Sequence, residues 1–207
     1  VYTKMYANDP RVGIIVRANN GKLRQSQIAA IRISPGDLVL NVDSDTVLAA
    51  DVVTKLVLKM RDREVGAAMG QLIASNRNQT WLTRLIDMEY WLACNEKRAA
   101  PARFRAVMWC CGPCAMYRRS PLTLLLDHYE KQLFHGRPRD TREDRHLKIL
   151  MLKVGFQPEY FPFQITARNI KPRLGPYLCQ WLPGVRKQFR DSNLTLRMLP
   201  ELLGNFT

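Results

Sequence analysis

The apolar run Leu38-Val39-Leu40-Asn41-Val42 ends on two carboxylates, Asp43 and Asp45, and a helical pattern follows from Val47 to Met60. Segments of strand type that alternate with segments of helix type constrain a fold strongly, because such chains build a sheet with helices on its faces. Leu38–Val42 reads as a central strand. Upstream, Val12-Gly13-Ile14-Ile15-Val16 reads as a short strand. "NNGKLRQSQIAAIRIS" then reads as a helix entered at Asn20-Gly21 and closed by Pro35-Gly36, with Ile28, Ile31 and Ala29 turned inward. Val65-Gly66-Ala67-Ala68-Met69 reads as the next strand. The expectation is an α/β domain with a mostly parallel sheet, and an acidic pair at a strand-to-helix turn, where open α/β sheets bind ligands.

The middle of the chain changes pattern. Trp81, Leu82, Leu85, Met88, Trp91 and Leu92 recur at helical spacing, which predicts a helix packed on the core through that stripe. Gly112-Pro113 breaks the chain, a helix is expected near Leu122–Leu133, and "HGRPRDTRE" forms a basic loop leading into a helix near Asp144–Val154. "FQPEYFPF" reads as a short extended segment. The last stretch interleaves Tyr177, Leu178, Trp181, Leu182, Val185 and Phe189 with Arg186, Lys187, Arg190 and Arg197. Such a basic, aromatic, amphipathic segment suits a membrane interface, and equally a terminal helix docked on its own domain.

At 207 residues the chain is long enough for a substantial core. Its formal net charge of +14 points to an anionic partner: nucleic acid, an anionic membrane surface or a phosphorylated substrate. No run of about 18 apolar residues appears. The chain begins at Val1 in mid-pattern and stops at Thr207, so it reads as part of a longer protein. Its five cysteines, three of them clustered at Cys110, Cys111 and Cys114, do not form a secreted disulfide framework and favour a reducing compartment. The sequons at Asn78, Asn193 and Asn205 read as chance matches.

Asp43 and Asp45 are spaced i and i+2, so on an extended chain their side chains share one face. Two such carboxylates can approach one divalent cation that bridges the oxygens of a diphosphate. With no histidine cluster nearby, oxygen-ligand ions such as Mg2+ or Mn2+ are the natural choice. Glu143-Asp144 enters a helix beside Arg137, Arg139, Arg142 and Arg145. It can serve as a general base or as a helix cap within a charge network. Cys111-x-x-Cys114 has no second ligand pair for zinc and reads as a loop lining a pocket, shaped by Gly112-Pro113. Lys22 and Arg24, at a helix start, can meet a phosphate or remain solvated.

Taken together, "GKLRQSQIAAI", "GDLVLNVDSDTVLAADVV", "GAAMGQLIASNRNQTWLTRLIDMEYWLACNEKRAA", "CCGPCAMYRRS" and "REDRHLKILMLKVGF" resemble the nodulation protein C family. These are rhizobial N-acetylglucosaminyltransferases, grouped with the chitin, hyaluronan and cellulose synthases as processive inverting glycosyltransferases. The likeness covers nearly the whole chain and is close from Asn20 to Gly155. It implies a partial GT-A-like catalytic domain over 1–170 and an amphipathic membrane-interface segment over 171–207. It further implies a UDP-GlcNAc donor, a chitin oligosaccharide acceptor, and Mg2+ or Mn2+. The implied setting is the bacterial inner membrane with the catalytic part facing the cytoplasm, and no nucleic-acid partner.

By the same resemblance, Asp43 and Asp45 hold the metal and the UDP diphosphate, and Lys22 lies near the nucleotide. Asp144 is the base that deprotonates the acceptor's 4-hydroxyl for a single inverting displacement. Cys111, Gly112, Pro113, Glu143 and Gln180 belong to the acceptor side, and Trp109, Trp91 and Tyr90 are candidates for the acceptor path.

Three departures stand out. The family's upstream nucleotide-binding part and its membrane segments are not in this sequence. Arg142 replaces the glycine usual before Glu143-Asp144. The family's Q-x-x-R-W signature reads here as Gln180-Trp181-Leu182-Pro183-Gly184, so proline and glycine stand where arginine and tryptophan are expected. Neither can supply a guanidinium fork or an indole ring. Two other readings follow: an impaired homologue that binds a UDP-sugar without turnover, and a basic nucleic-acid-binding module.

Overall fold

A computed structural model describes residues 9–16, 23–95, 114–130, 133–134, 137–138, 147, 150–179 and 181–182. In chain order the elements are α1 (Leu23–Ile33), β1 (Leu38–Val42), β2 (Thr46–Leu48), α2 (Val52–Lys59), β3 (Val65–Ala74) and α3 (Trp81–Asn95). Then come β4 (Cys114–Arg118), α4 (Arg119–Glu130), β5 (Leu133–Phe134), β6 (Arg137–Pro138) and β7 (Gln157–Arg168). Between β6 and β7, residues 147 and 150–153 are helical (α5), and after β7 so are 174–179 and 181–182 (α6).

The main sheet has the order β1-β4-β3-β7-β2, and β5 and β6 form a separate two-stranded ribbon. The expected mostly parallel sheet is corrected to a mixed one. Of the described pairings in the main sheet, β3–β7 is parallel, whereas β1–β4, β3–β4 and β2–β7 are antiparallel. The helix-linked strands β1 and β3 do share a direction, as the alternation implies. They are not neighbours, because β4 lies between them and runs against both. β1 is therefore an edge of the described sheet, not a central strand.

Side-chain alternation divides the core into two layers. Leu38, Leu40, Cys114, Met116 and Ala68 face α2, joining Val52, Leu56 and Met60. Their neighbours Val39, Ala115, Tyr117 and Ala67 face the opposite side, where Ile28 and Ile31 of α1, Leu122, Leu125, Leu126 and Tyr129 of α4, and Leu147 and Met151 meet. The buried face of α1 is the one read from sequence.

Two further expectations are corrected locally. Val12–Val16 is irregular and exposed, with Val16 at 87%. Its residues suit a strand, but strand preference without a pairing neighbour makes none. The helix expected from Val47 begins at Val52, because Thr46, Val47 and Leu48 pair with Arg168, Ala167 and Thr166 of β7. Helix α4 starts at Arg119 and ends at Glu130, and the extended segment after Phe156 is a twelve-residue strand.

The link between β1 and β2 fixes the shape of one sheet end. Four Cα steps reach at most about 15 Å, whereas four strand spacings across a flat sheet need about 19 Å. The sheet must curl there. The β3–β7 pairing carries register shifts there, between Met69 and Gln71 and between Gln71 and Leu72, and such bulges bend a strand.

Candidate active site

Asp43 and Asp45 occupy this short link. They lie at a strand-to-strand crossing, which corrects the expected strand-to-helix turn. Asp43 is partly buried and Asp45 exposed, and the Thr46 N–H donates to the Asp43 carbonyl at 3.1 Å. The pair thus sits at the β1–β2 end of the sheet, with Asp43 partly buried and Asp45 facing solvent.

Strand register brings Cys114 to the same end. Val42, the residue before Asp43, lies opposite Cys114, the residue after Cys111-Gly112-Pro113. Cys114 lies some seventy positions beyond Asp43 in sequence, and antiparallel pairing of β1 with β4 sets it opposite Val42. Burial pushes the Cys114 thiol up to about 11, so it behaves as a packed apolar group rather than a nucleophile.

Thr46 is a residue that motif reading passed over. Its hydroxyl is buried, with no hydrogen-bond partner, one position after Asp45. The sequence signal was only a hydroxyl adjoining the D-x-D. Among the described residues no group of three or more His, Cys, Asp or Glu side chains gathers at one point. The local donors are oxygens: two carboxylates and an orphaned hydroxyl. That set fits a hard divalent cation that keeps other ligand positions for water or phosphate.

A cavity of about 250 Å3 runs along the open edge of β1, between α1, α4 and Leu147. Gln27, Ser34 and Asn41 supply its polar lining, and Tyr129 donates from its hydroxyl to Gln27 Oε1 at 3.2 Å. Asn41 brings the cavity to within two residues of Asp43. At this size it falls short of the usual range for a drug-sized ligand.

Lys22, Cys111, Gly112, Pro113, Glu143, Asp144 and Gln180 lie outside the described residues, as do Trp109, Pro183 and Gly184. Their described flanks are Leu23 at the start of α1, Cys114 on β4, Leu147 in the core, and Trp181 on α6. Helix α5 closes at Gly155, whose φ of 82° permits a Schellman cap: Phe156 N–H donates to Met151 O and Gly155 N–H to Leu152 O, both at 3.0 Å. Tyr90 packs against two apolar clusters, and Trp91 is 53% exposed.

Residues 2–125 match the family described as Glycosyl transferase family 2. The chain is 69% identical over 204 residues to an N-acetylglucosaminyltransferase of Bradyrhizobium diazoefficiens, covering 99% of this chain and 42% of that protein. It is 66% identical to one of Sinorhizobium fredii, covering 95% of this chain and 48% of the relative. One of Azorhizobium caulinodans is 55% identical, with 95% and 50% covered. The chain therefore spans about half, or somewhat less, of the length of these relatives. Among solved structures it is similar in fold to a mannosyltransferase from Pyrobaculum calidifontis in complex with GDP-Man and Mn2+. The TM-score is 0.56 at 16% identity, covering 83% of this chain and 44% of that one.

Proposed function

Because this chain belongs to glycosyl transferase family 2, we propose that it is part of an inverting N-acetylglucosaminyltransferase. The enzyme moves GlcNAc from UDP-GlcNAc to the 4-hydroxyl of a growing chitin oligosaccharide, the backbone of Nod factors. The observation that carries this reading is the position of Asp43 and Asp45 at the curled sheet end, one residue from the Val42–Cys114 pair. An acidic pair there suits a divalent cation carrying a donor diphosphate, whereas without a cation it repels a nucleic-acid backbone.

In this reading Asp43 and Asp45 orient the donor diphosphate together with Mg2+ or Mn2+, and Lys22 meets the nucleotide. Asp43 and Asp45 would hold that cation, which when bound would supply positive charge opposite the leaving diphosphate. Asp144 takes the proton of the acceptor's 4-hydroxyl, whose oxygen then attacks the anomeric carbon from the face opposite the diphosphate. Glu143, Cys111, Gly112, Pro113 and Gln180 shape the acceptor side. The enzyme works at the bacterial inner membrane with this part facing the cytoplasm, and residues 171–207 lie along the interface.

The test is incorporation of labelled GlcNAc from UDP-GlcNAc into chitin oligomers by membranes carrying the full-length protein. Activity should need a divalent cation and fall about 100-fold or more in Asp45→Asn and in Asp144→Asn. Undiminished activity in both variants would refute the assignment.

Pro183-Gly184 favours a second reading, in which donor binding persists and turnover is lost. Restoring the signature with Pro183→Arg/Gly184→Trp distinguishes the two. Activity only in the restored protein supports impairment, and equal activity in both rules it out.

A further inference from the structure

Helix α3 is apolar on both faces. Its inner face, Leu82, Thr83, Ile86 and Cys94, is buried. Its outer face carries Trp81, Leu85, Met88, Trp91 and Leu92, exposed by 69, 51, 56, 53 and 41%. At about 100° per residue these five fall within one arc of about 120°, in which Arg84 is the charged residue. A contiguous exposed apolar patch of this kind marks a binding surface.

Helix α6 extends the patch. Asn76 holds the backbone of Ile170 through two hydrogen bonds, 2.8 and 2.9 Å, and the Thr80 hydroxyl donates to Pro172 O at 3.5 Å. These contacts start α6 beside the start of α3, and Tyr177 donates from its hydroxyl to Glu89 Oε2 at 3.4 Å farther along. Leu174, Leu178, Trp181 and Leu182, at i, i+4, i+7 and i+8, form a second exposed apolar stripe on α6.

Among the described residues, basic side chains predominate around the two stripes. Arg77, Lys171 and Arg173 are exposed at the shared start of the helices, and Arg84 borders the α3 arc. Of the acids of α3, Asp87 accepts from the Ala74 N–H at 2.7 Å, and the exposed Glu89 accepts from Tyr177 between the two helices.

We propose that the outer faces of α3 and α6 together form a docking surface for the headgroup–acyl boundary of an anionic bilayer. Tryptophan at three points of the patch suits that boundary, leucine and methionine suit the outer acyl layer, and the basic rim meets anionic headgroups. The surface extends the membrane contact from residues 171–207 back to α3, and it does not depend on the transfer chemistry.

The test is tryptophan fluorescence of the full-length protein in vesicles of phosphatidylcholine and phosphatidylglycerol with brominated acyl chains. Bromolipid should quench Trp81 and Trp91, so Trp81→Phe/Trp91→Phe should remove a large share of the quenching seen in the parent. Its circular dichroism should match the parent, since both positions are exposed. Quenching that the double substitution leaves unchanged overturns the proposal, whether the stripe then faces water or another protein surface.

Discussion

Arg118 and Arg119, adjacent at the β4–α4 junction, direct their guanidinium groups at backbone carbonyls. Arg118 donates to Val65 O at 3.1 Å, Met60 O at 2.5 Å and Asp62 O at 2.8 Å, tying the α2–β3 loop to the sheet. Arg119 donates to Gly36 O, and to Ile31 O at 3.0 Å near the C-terminus of α1, where a positive charge is favourable. Arg118→Ala should therefore cost about 2–3 kcal/mol, measurable by denaturant unfolding, because several carbonyls lose a charged donor together. Tyr177 titrates unusually. Burial first, and then the nearby Glu89 carboxylate, push its hydroxyl up from 10.0 to about 12. A folded-state value above the unfolded one means the contribution is intact below pH 10 and is lost as pH rises toward 12. Unfolding followed across that window should show the decline, and Tyr177→Phe should flatten it. Neither role is legible in the sequence, where these residues are two basic side chains among many and one tyrosine in an amphipathic run.

Helix α3 owes its start to Thr80 and Thr83. The Thr83 N–H donates to Thr80 Oγ1 at 3.2 Å and the Thr80 N–H to Thr83 Oγ1 at 3.0 Å, a reciprocal cap in which threonine fills the place often taken by Glu or Gln. Thr80→Ala should lower stability by about 1 kcal/mol, read from the thermal midpoint. Gly66 on β3 admits Phe156 so closely that an added Cβ would lie 2.6 Å from Phe156 Cβ. Gly66→Ala should cost about 1–3 kcal/mol in the same measurement, as overpacking of a dense core does. The existence of α3 was legible from the spacing of its apolar residues. The face it buries was not: of the six residues in the expected inward stripe, Leu82 alone is buried, and Ile86 and Cys94 do the packing. Periodicity locates a stripe only when the other side of the helix is polar, and here it is not.

Across the whole molecule, reactivity follows burial. Cys94 and Cys114 are buried free thiols and Cys179 is an exposed one. Alkylation of the native protein at neutral pH should modify Cys179 well before Cys94 and Cys114, with peptide mass mapping as the readout. A faster reaction at Cys114 would contradict its place between α2 and the sheet. The sequence by itself determined that β1 ends on two aspartates, that α1 turns Ile28 and Ile31 inward, and that strands alternate with helices, because each is a matter of local spacing. Tertiary structure decided that β4 inserts between β1 and β3, that β2 crosses to the far edge, and that Val42, just before the D-x-D, pairs with Cys114. Strand neighbours are chosen by pairing energies between residues far apart along the chain, and no local pattern carries that choice.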